Sequence, residues 1–268
     1  MKKFILKTLP PVVYESYLLI SKKKILFQGE YGSWVEAFDN CTGYDSEEIL
    51  ADVLESSIRV KNGDAAFCRD GVFFNKIQYS WPVTTSLLWV ALRTNSELNV
   101  LDFGGSLGDC YFQNRNFLTN ISRVSWHIVE QPHFVEAGKK NIEDNCLKFF
   151  SSIQKSVNVQ TPDIILLSSV LQYLPNPHGI LSELLETAPK AIIIDRTPFL
   201  IDGENSVIKI QKNPKSLGSS SYPCHFFNFD ELIGPIKRKG YRIIEDFDSL
   251  DDLSKEAKWK GVLLSKSE

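Results

Sequence analysis

A glycine-rich turn follows a short apolar run near the middle of the chain. The residues Val100-Leu101-Asp102-Phe103 lead into Gly104-Gly105-Ser106-Leu107-Gly108. Glycines in a turn adopt positive φ angles without a Cβ clash and let the backbone approach a ligand closely. A helix that starts after such a turn points its free N–H groups at whatever binds there. The pattern predicts a nucleotide-like cofactor at the first crossover of an α/β sheet.

The spacing of the glycines discriminates among cofactors. A phosphate-binding loop, G-x-x-x-x-G-K-[ST], is disfavoured because no lysine follows Gly108. The dinucleotide pattern G-x-G-x-x-G fails because Ser106 and Asp109 stand where glycines are required. The match is to Asp-x-Gly-x-Gly-x-Gly, the first motif of S-adenosylmethionine (SAM)-dependent methyltransferases, with serine at the middle glycine. The candidate SAM-binding residues are Asp102, Gly104, Gly105, Ser106 and Gly108. A tight turn without a ligand is the alternative.

A carboxylate closes the next apolar run. Trp126-His127-Ile128-Val129 ends in Glu130-Gln131, and Glu130 lies 26 residues after Gly104. That separation suits one strand–helix–strand unit. A carboxylate at the end of a second strand can accept hydrogen bonds from both ribose hydroxyls, because it offers two acceptor oxygens. We therefore predict that Glu130 holds the cofactor ribose and that Gln131 belongs to the cofactor site. The alternative for Glu130 is an ordinary exposed strand end.

The composition is that of a globular protein without special partners. The 268 residues suffice for one α/β domain with an appendage, and 43% are hydrophobic. A net charge of −3 gives no electrostatic support for a nucleic-acid partner. Five cysteines without a C-x-x-C pair favour a reducing compartment, the cytoplasm, and no metal site is predicted. No apolar stretch reaches the about 18 residues of a membrane span, and no signal-peptide pattern is present.

Apolar runs alternate with helical patterns from residue 98 onward. The predicted strands lie at 99–103, 125–130, 147–150, 163–168 and 191–195, and the predicted helices at about 109–120, 132–145 and 177–187. Apolar runs of this length between helices are typical of a parallel sheet covered on both faces. Two further strands, at 241–247 and 260–265, are expected to form an antiparallel edge pair. The expected fold is α/β: a Rossmann-like class I methyltransferase fold with a seven-stranded, mostly parallel sheet.

The first part of the chain lacks this alternation. We predict a mainly helical cap or extension at residues 1–95 and a SAM-binding domain at 96–268, with cap helices at 46–54 and 82–92. Lysines mix with apolar residues at the extreme N-terminus, at Lys2, Lys3, Lys7, Lys22, Lys23 and Lys24. Two interpretations of this segment stay open: a cationic patch that contacts an anionic membrane, and a helix docked on its own domain.

Short motifs spread over residues 30–247 match one family in order and spacing. They are YGSW (31–34), TGYD (42–45), RD (69–70), LDFGGSLG (101–108), YFQNR (111–115), VEQP (129–132), SSVLQYL (168–174), IDRTP (194–198) and SYP (221–223). Together they resemble a bacterial family of methyltransferases whose genes tend to lie among those for O-antigen, capsule and other surface glycans. The resemblance implies a small-molecule or lipid-linked glycan substrate. His225 departs from the family pattern, which more often has an aromatic residue such as tryptophan there.

Polar residues follow the fourth and fifth predicted strands. Methyl transfer to oxygen or nitrogen requires an acceptor in line with the sulfonium methyl and a group that takes up the acceptor's proton. Ligands of an open α/β sheet lie at the carboxyl ends of its strands. Ser168, Ser169 and Tyr173 are therefore predicted to line the cofactor pocket, with Gln172 beside them.

Three residues are candidate catalysts. Asp195, at the predicted end of the fifth strand, could accept the proton of a sugar hydroxyl. Arg196 could clamp an acidic substrate group with two hydrogen bonds. His225 titrates near neutral pH, which suits a general base. The alternatives are a structural ion pair between Asp195 and Arg196, and a packing role for His225.

Aromatic residues supply candidate acceptor contacts. The segment 222–229 offers ring faces on which a sugar could stack, or it belongs to the core. Near the N-terminus, Tyr31, Trp34, Tyr44 and Arg69 could close over the cofactor as a lid, or form a purely structural cap.

Three functions stay open. The first is SAM-dependent O-methylation of a sugar or glycan precursor in surface-polysaccharide biosynthesis. The second is a non-catalytic protein of this fold that binds within a glycan-assembly complex. The third is an NAD-dependent nucleotide-sugar enzyme, against which the failed dinucleotide pattern and the lack of a Tyr-x-x-x-Lys pair count. The sequence leaves the oligomeric state open.

Overall fold

The computed structural model describes residues 25–42, 46–69, 71–74, 76–201, 203, 205–213 and 220–267. Its strands are β1 (Leu26–Tyr31), β2 (Phe67–Arg69), β3 (Val72–Phe74), β4 (Glu97–Phe103), β5 (Arg123–Val129), β6 (Leu147–Phe150), β7 (Ile164–Ser168), β8 (Ala191–Leu200), β9 (Val207–Lys212), β10 (Ser221–Phe226), β11 (Tyr241–Asp248) and β12 (Ala257–Lys266). Its helices are α1 (Trp34–Asp39), α2 (Ser46–Asn62), α3 (Trp81–Arg93), α4 (Asp109–Leu118), α5 (Pro132–Asn141), α6 (Ile153–Val157), α7 (Pro177–Glu186) and α8 (Phe229–Arg238). None of these helices is long and apolar enough to cross a membrane. The lysine-rich residues 2–24 lie outside the described ranges.

A seven-stranded sheet forms the centre of the molecule, in the order β11-β12-β8-β7-β4-β5-β6. Strands β8, β7, β4, β5 and β6 run parallel, and β12 is antiparallel to both of its neighbours. The predicted α/β architecture and the antiparallel pair near the C-terminus are therefore confirmed. From β4 the sheet extends to β5 on one side and to β7 on the other. The direction in which successive strands are added to the sheet therefore reverses at β4. Such a reversal opens a crevice at the carboxyl ends of β4 and β7.

Both faces of the sheet are buried, as its apolar runs require. Val100 and Leu101 are neighbours on β4, and they belong to different core clusters because successive side chains of a strand point to opposite faces. On one face Val100 shares its cluster with Val53 of α2 and Leu87 of α3. On the other face, helices α7 and α8 cover the sheet. Helices of the N-terminal region therefore pack directly on the central sheet.

A smaller antiparallel sheet, in the order β1-β9-β10, was not predicted. It joins strands that lie far apart in the sequence, since Leu26 pairs with Lys212. Such pairing leaves no local pattern. Pro223 also breaks the usual signature of a strand, but β10 is an edge strand of this sheet, where proline is tolerated. The segment between β8 and α8 is thus a β-sheet insertion rather than a loop.

Candidate functional site

The turn after β4 has the conformation that its glycines permit. Gly104 and Gly108 have φ angles of +72° and +100°. A Cβ atom at Gly104 would lie 2.4 Å from Cγ2 of Val170, and one at Gly105 would lie 2.5 Å from the carboxylate carbon of Asp102. Both glycines are therefore required by close neighbours, and Gly104 also by its φ angle. Helix α4 begins at Asp109, directly after the turn, so its first N–H groups face the turn.

Ser106 stands at a position that favours glycine. Its φ angle is +53°, in the left-handed region. This conformation costs a residue with a Cβ about 1–2 kcal/mol. The SAM motif has glycine here, and the backbone explains that preference. Serine keeps the same turn conformation but destabilises it relative to glycine.

Asp102 is a buried carboxylate beneath the turn. The indole Nε1 of Trp126 donates to its Oδ2 at 3.1 Å, while its Oδ1 is buried without a hydrogen-bond partner in the described ranges. Burial raises the pKa of Asp102 to about 7. Trp126 was missed as a site residue, although a buried tryptophan needs a partner for its N–H and so could have indicated a buried acceptor. The unpartnered oxygen fits a cationic ligand group such as an ammonium.

Glu130 follows β5 and links the two turns at this edge of the sheet. Its Oε2 accepts a hydrogen bond from the backbone N–H of Gln131 at 2.6 Å. The backbone N–H of Ser106 lies close enough to this carboxylate to lower its pKa. Burial raises the pKa of Glu130, and these two N–H groups oppose the rise. Glu130 therefore lies against the glycine turn, while the side chain of Gln131 is exposed.

The prediction that Asp195 ends a strand was wrong, because β8 continues to Leu200. Asp195 and Arg196 instead form a β-bulge. On β12, Lys260 pairs with Thr197 and Val262 with Ile194, so that both bulged residues oppose the single Gly261. Arg196 has a φ of +53°. A bulge redirects side chains within a strand, and here it lies level with Ser168, the last residue of β7.

Asp195 is buried and polar groups surround it. Ser168 Oγ donates to its Oδ2 at 3.3 Å, and the backbone N–H of Arg196 lies close enough to lower its pKa. Its Oδ1 is buried and has no partner among the described residues. Burial raises the pKa of Asp195 to about 6, and the charge of Arg196 limits the rise. The carboxyl group is therefore mostly ionised at neutral pH and retains one free acceptor oxygen.

Arg196 forms its ion pair with Asp251, which sequence reasoning missed. The guanidinium Nε donates to Asp251 Oδ2 at 2.6 Å, and both side chains are largely buried. Asp251 lies between β11 and β12, about 55 residues further along the chain, and no motif marked it. The ion pair considered between Arg196 and Asp195 is replaced by this one.

Ser169 and Gln172 brace the turn after β7. The backbone N–H of Ser169 donates to the carbonyl oxygen of Asp195 at 2.9 Å. Gln172 Nε2 donates to Ser169 Oγ and to the carbonyl oxygen of Arg196, at 3.2 and 3.1 Å. Ser169 has a φ of +56°. These contacts fix the turn against the bulge, and so they hold Ser168 beside Asp195.

A small cavity joins the two strand ends to the N-terminal region. Its lining residues come from β2, α4, β7 and β8, from the N-cap of α3 and from the segment before β12: Phe67, Arg69, Ser80, Asp109, Cys110, Gln113, Ser168, Asp195, Arg196 and Leu250. Asp109 and Cys110 directly follow the glycine turn. The structure thus brings the turn, the bulge and Arg69 of the predicted cap to one place.

Tyr173 and His225 lie in a different neighbourhood. The Tyr173 hydroxyl donates to Oε1 of Gln211 on β9 at 2.9 Å, and its ring meets that of Tyr222 edge-on. His225 stacks between Trp34 and Phe227, with ring centroids 5.1 and 5.4 Å away. Both residues belong to the small sheet and its contacts, away from the cavity that Asp195 lines.

His225 has the environment of a packing residue. Its Nε2 lies 3.1 Å from the carbonyl oxygen of Leu174, which makes this nitrogen the donor. Burial lowers the pKa of His225 to about 4. It lines an open cavity of about 340 Å³ with His178 and Ser206. Around it, Phe226 and Phe227 are fully buried, so that much of the aromatic segment 222–229 is core.

No family model matches the chain, and no curated protein matches it in sequence. Solved structures do match. The N-terminal domain of EvdMO1, crystallised in the presence of SAH and D-fucose, has a TM-score of 0.50 at 12% identity, over 84% of this chain and 98% of that chain. The glycopeptide N-methyltransferase MtfA complexed with SAM has a TM-score of 0.47 at 10% identity, over 69% and 94%. Magnesium protoporphyrin IX methyltransferase from Synechocystis PCC 6803 with bound SAH has a TM-score of 0.46 at 12% identity, over 70% and 82%. The chain has the Rossmann-like class I methyltransferase fold.

Proposed function

We propose that this protein binds SAM at the crevice and transfers its methyl group to a hydroxyl group of a sugar or glycan precursor in surface-polysaccharide biosynthesis. The observation that carries the cofactor part of the proposal is the pairing of a tight glycine turn with the buried Oδ1 of Asp102 beneath it, which has no partner among the described residues. A buried acceptor without a partner is costly, and a ligand cation would relieve that cost. The amino group of SAM is such a cation.

The residues at the two strand ends fit the parts of SAM. The turn 104–108 and Asp102 would hold its amino-acid end, and the carboxylate of Glu130 would accept hydrogen bonds from its ribose hydroxyls. Gln131, Ser168, Ser169 and Tyr173 remain candidate cofactor contacts, although the hydroxyl of Tyr173 is already bound to Gln211. Bound SAM supplies an electrophilic methyl group on its sulfonium. The protein's part is to orient this group and to handle the acceptor's proton.

Asp195 is the proposed proton acceptor. Its Oδ1 is free for an acceptor hydroxyl, and the hydrogen bond from Ser168 fixes the orientation of the carboxyl group. A base with a pKa of about 6 is ionised at neutral pH yet still takes a proton readily. Arg196 would support it by its charge. His225 would need to move out of its aromatic stack to take part, so that Asp195 is the preferred base.

The alternatives are less well supported. An NAD-dependent enzyme would be expected to have the strand order of dinucleotide-binding folds, whereas here the antiparallel β12 lies between β8 and β11. A non-catalytic binding protein would need neither a free Asp195 oxygen nor a polar cavity beside the cofactor turn. A sugar acceptor is consistent with the EvdMO1 domain having been crystallised in the presence of D-fucose.

The domain organisation, the compartment and the kind of acceptor are part of the same proposal. A cap at 1–95 and a SAM-binding domain at 96–268 would together enclose the acceptor, since Arg69 and Ser80 line the cavity with Asp195. None of the five cysteines, all in the described part of the chain, forms a disulfide, and a cytoplasmic location is part of the proposal. The acceptor would be a small or lipid-linked glycan, and contact of the lysine-rich N-terminus with a membrane would bring the protein to the latter.

Calorimetric titration with SAM, with SAH (its demethylated product) and with NAD tests the cofactor. We expect SAM and SAH to bind and NAD not to bind. Gly104→Val should abolish SAM binding, because its Cβ would strike Val170 and displace the turn. Gly240→Val is the matched control: Gly240 also has a positive φ, of +90°, but has no atom within 4 Å of the added Cβ. Unchanged SAM affinity in Gly104→Val would refute the site, and NAD binding would favour the dinucleotide alternative.

A further inference from the structure

The cavity that Asp195 lines also holds a guanidinium, that of Arg69, which has no carboxylate partner among the described residues. Arg69 is the last residue of β2 and lines the same small cavity as Asp195. Its Nη1 is buried and has no hydrogen-bond partner in the part of the chain that the structure describes. The guanidinium lies over the ring of Phe74, with its Cζ 5.7 Å from the ring centroid. A buried donor atom of a cation that makes no hydrogen bond is poorly compensated.

The other charged groups around the cavity each have at least one partner. Arg196 is paired with Asp251, and Asp195 Oδ2 accepts a hydrogen bond from Ser168, although Asp195 Oδ1 has no partner among the described residues. Asp109 accepts a weak hydrogen bond from Cys68 Sγ at 3.7 Å. Of the two arginines that line this cavity, Arg196 is paired with Asp251, whereas Arg69 has no carboxylate partner among the described residues and so retains a donor for a ligand anion. The sequence analysis predicted that Arg196 clamps an acidic substrate group. Arg69 suits this role better, because Arg196 is already paired with Asp251.

The size of the cavity limits what enters it. A volume of about 20 Å³ holds roughly one water-sized group. A whole sugar ring does not fit there, whereas an oxygen of a carboxylate or phosphate group does. The cavity is thus suited to one functional group of an acceptor whose remainder lies outside it.

We propose that Arg69 binds an anionic group of the methyl acceptor, a carboxylate or a phosphate, and thereby places the neighbouring hydroxyl at Asp195. The proposal rests on the proposed methyl transfer and narrows its substrate to an acidic sugar. Arginine suits this role because its planar fork donates two parallel hydrogen bonds to an oxyanion. It also offsets the repulsion between that anion and the Asp195 carboxylate. Arg69 is a binding residue here and does not move a proton.

Anion binding is measured first, without SAM. Glucuronate, inorganic phosphate and neutral glucose are titrated into the full-length protein by calorimetry. We expect glucuronate or phosphate to bind and glucose to bind more weakly, and Arg69→Gln to lower the anion affinity by about 10- to 100-fold. Arg69→Lys should recover part of it. Whether glucuronate or phosphate binds more tightly identifies the anion.

Arg59→Gln is the matched control. Arg59 also stacks on a phenylalanine of β3, with Cζ 4.3 Å from the centroid of Phe73, but it is exposed and does not line the cavity. The Arg59→Gln variant should therefore bind the anions with the same affinity as the wild type. Circular dichroism and urea unfolding establish that each variant is folded. Equal anion affinity in folded Arg69→Gln and wild type, or no anion binding by the wild type, would overturn the proposal.

Methyl transfer is measured second, from radiolabelled SAM to glucuronate, glucose 1-phosphate and glucose. The preferred anionic acceptor should be methylated faster than glucose, and Arg69→Gln should raise its KM about 10- to 100-fold while the affinity for SAM stays the same. An equal loss with glucose would overturn the proposal. Anion binding that depends on Arg69 without methyl transfer to any sugar would leave the anion site standing and refute the proposed activity instead.

Discussion

The two halves of the crevice are built by different means. On the proposed cofactor side, the turn after β4 presents backbone, and its shape comes from glycines within five residues of one another. On the proposed acceptor side, a bulge in β8 presents the charged side chains Asp195 and Arg196, and its shape comes from the pairing with β12. A backbone site depends mainly on sterics. A side-chain site depends on charge and responds to pH.

The buried carboxylates of the two halves sharpen this contrast. Burial, together with the charges of Asp109 and Glu130, raises the pKa of Asp102 to about 7, and the hydrogen bond from the indole of Trp126 opposes the rise. Asp195 is equally buried, but the charge of Arg196 holds its pKa to about 6. At neutral pH Asp195 is mostly ionised, whereas Asp102 is about half protonated until a cation joins it. The four predictions that follow set the two halves against each other.

The largest effect is expected on the acceptor side. Asp195→Asn should lower turnover by at least about 100-fold without changing SAM affinity, because it removes general-base assistance. Wild-type turnover should rise with pH through about 6, because the base must be deprotonated, and the variant should lose this limb. Asp163→Asn is the control, since Asp163 is a buried aspartate bonded to Lys190 just before β7. Full activity of Asp195→Asn in the radiolabel assay would remove its catalytic role.

On the cofactor side, Glu130→Ala should weaken SAM binding. Loss of charge-assisted hydrogen bonds to the ribose costs about 1.5–3 kcal/mol, a roughly 10- to 100-fold rise in Kd. Glu136→Ala, on the exposed face of α5, should bind SAM normally. Both are measured by calorimetry. Wild-type affinity in Glu130→Ala would mean that Glu130 only ties Ser106 and Gln131 together.

Stability against pH tests the buried carboxylate of the cofactor half. The pKa of Asp102 is raised in the folded state, so the folded protein holds a proton that the unfolded chain releases above about pH 4. Its contribution is fully present below that pH and is lost as pH rises toward 7, by about 1.4 kcal/mol per pH unit. Asparagine cannot ionise, so the free energy of unfolding of Asp102→Asn does not carry this loss. Relative to wild type, the variant should therefore become more stable by about 1.4 kcal/mol between pH 5 and pH 6. The free energies of unfolding are measured in urea. If they change equally for wild type and Asp102→Asn between pH 5 and pH 6, the raised pKa of Asp102 is contradicted.

The smallest effect is expected for Ser106→Gly. Relief of the left-handed conformation should stabilise the protein by at most about 1 kcal/mol, since glycine also gains entropy in the unfolded chain. SAM affinity should not fall. Ala188→Gly serves as the control, with a similar φ of +52° far from the crevice. Weaker SAM binding in Ser106→Gly would show that the serine side chain, rather than the backbone, serves the cofactor.

The strand ends illustrate how far local pattern reaches. The strand at 147–150 is observed as predicted, and the turn 104–108, the fold class and Glu130 at the end of β5 all follow from apolar runs and glycines. The helix predicted at 132–145 ends at Asn141, and β8 continues five residues beyond Asp195. Element ends are set by packing and pairing, which a single stretch of sequence does not contain.

By itself, the sequence determined the central sheet, the glycine turn and the chemistry to expect at the carboxyl ends of the strands. Each of these depends on residues close together in the chain, where side-chain period and backbone freedom act directly. Tertiary structure alone decided the bulge at Asp195, the ion pair of Arg196 with Asp251 and the meeting of Arg69 with Asp195 in one cavity. It also placed His225 in an aromatic stack. These features join residues that are tens to more than a hundred positions apart, and only the folded sheet brings them within contact.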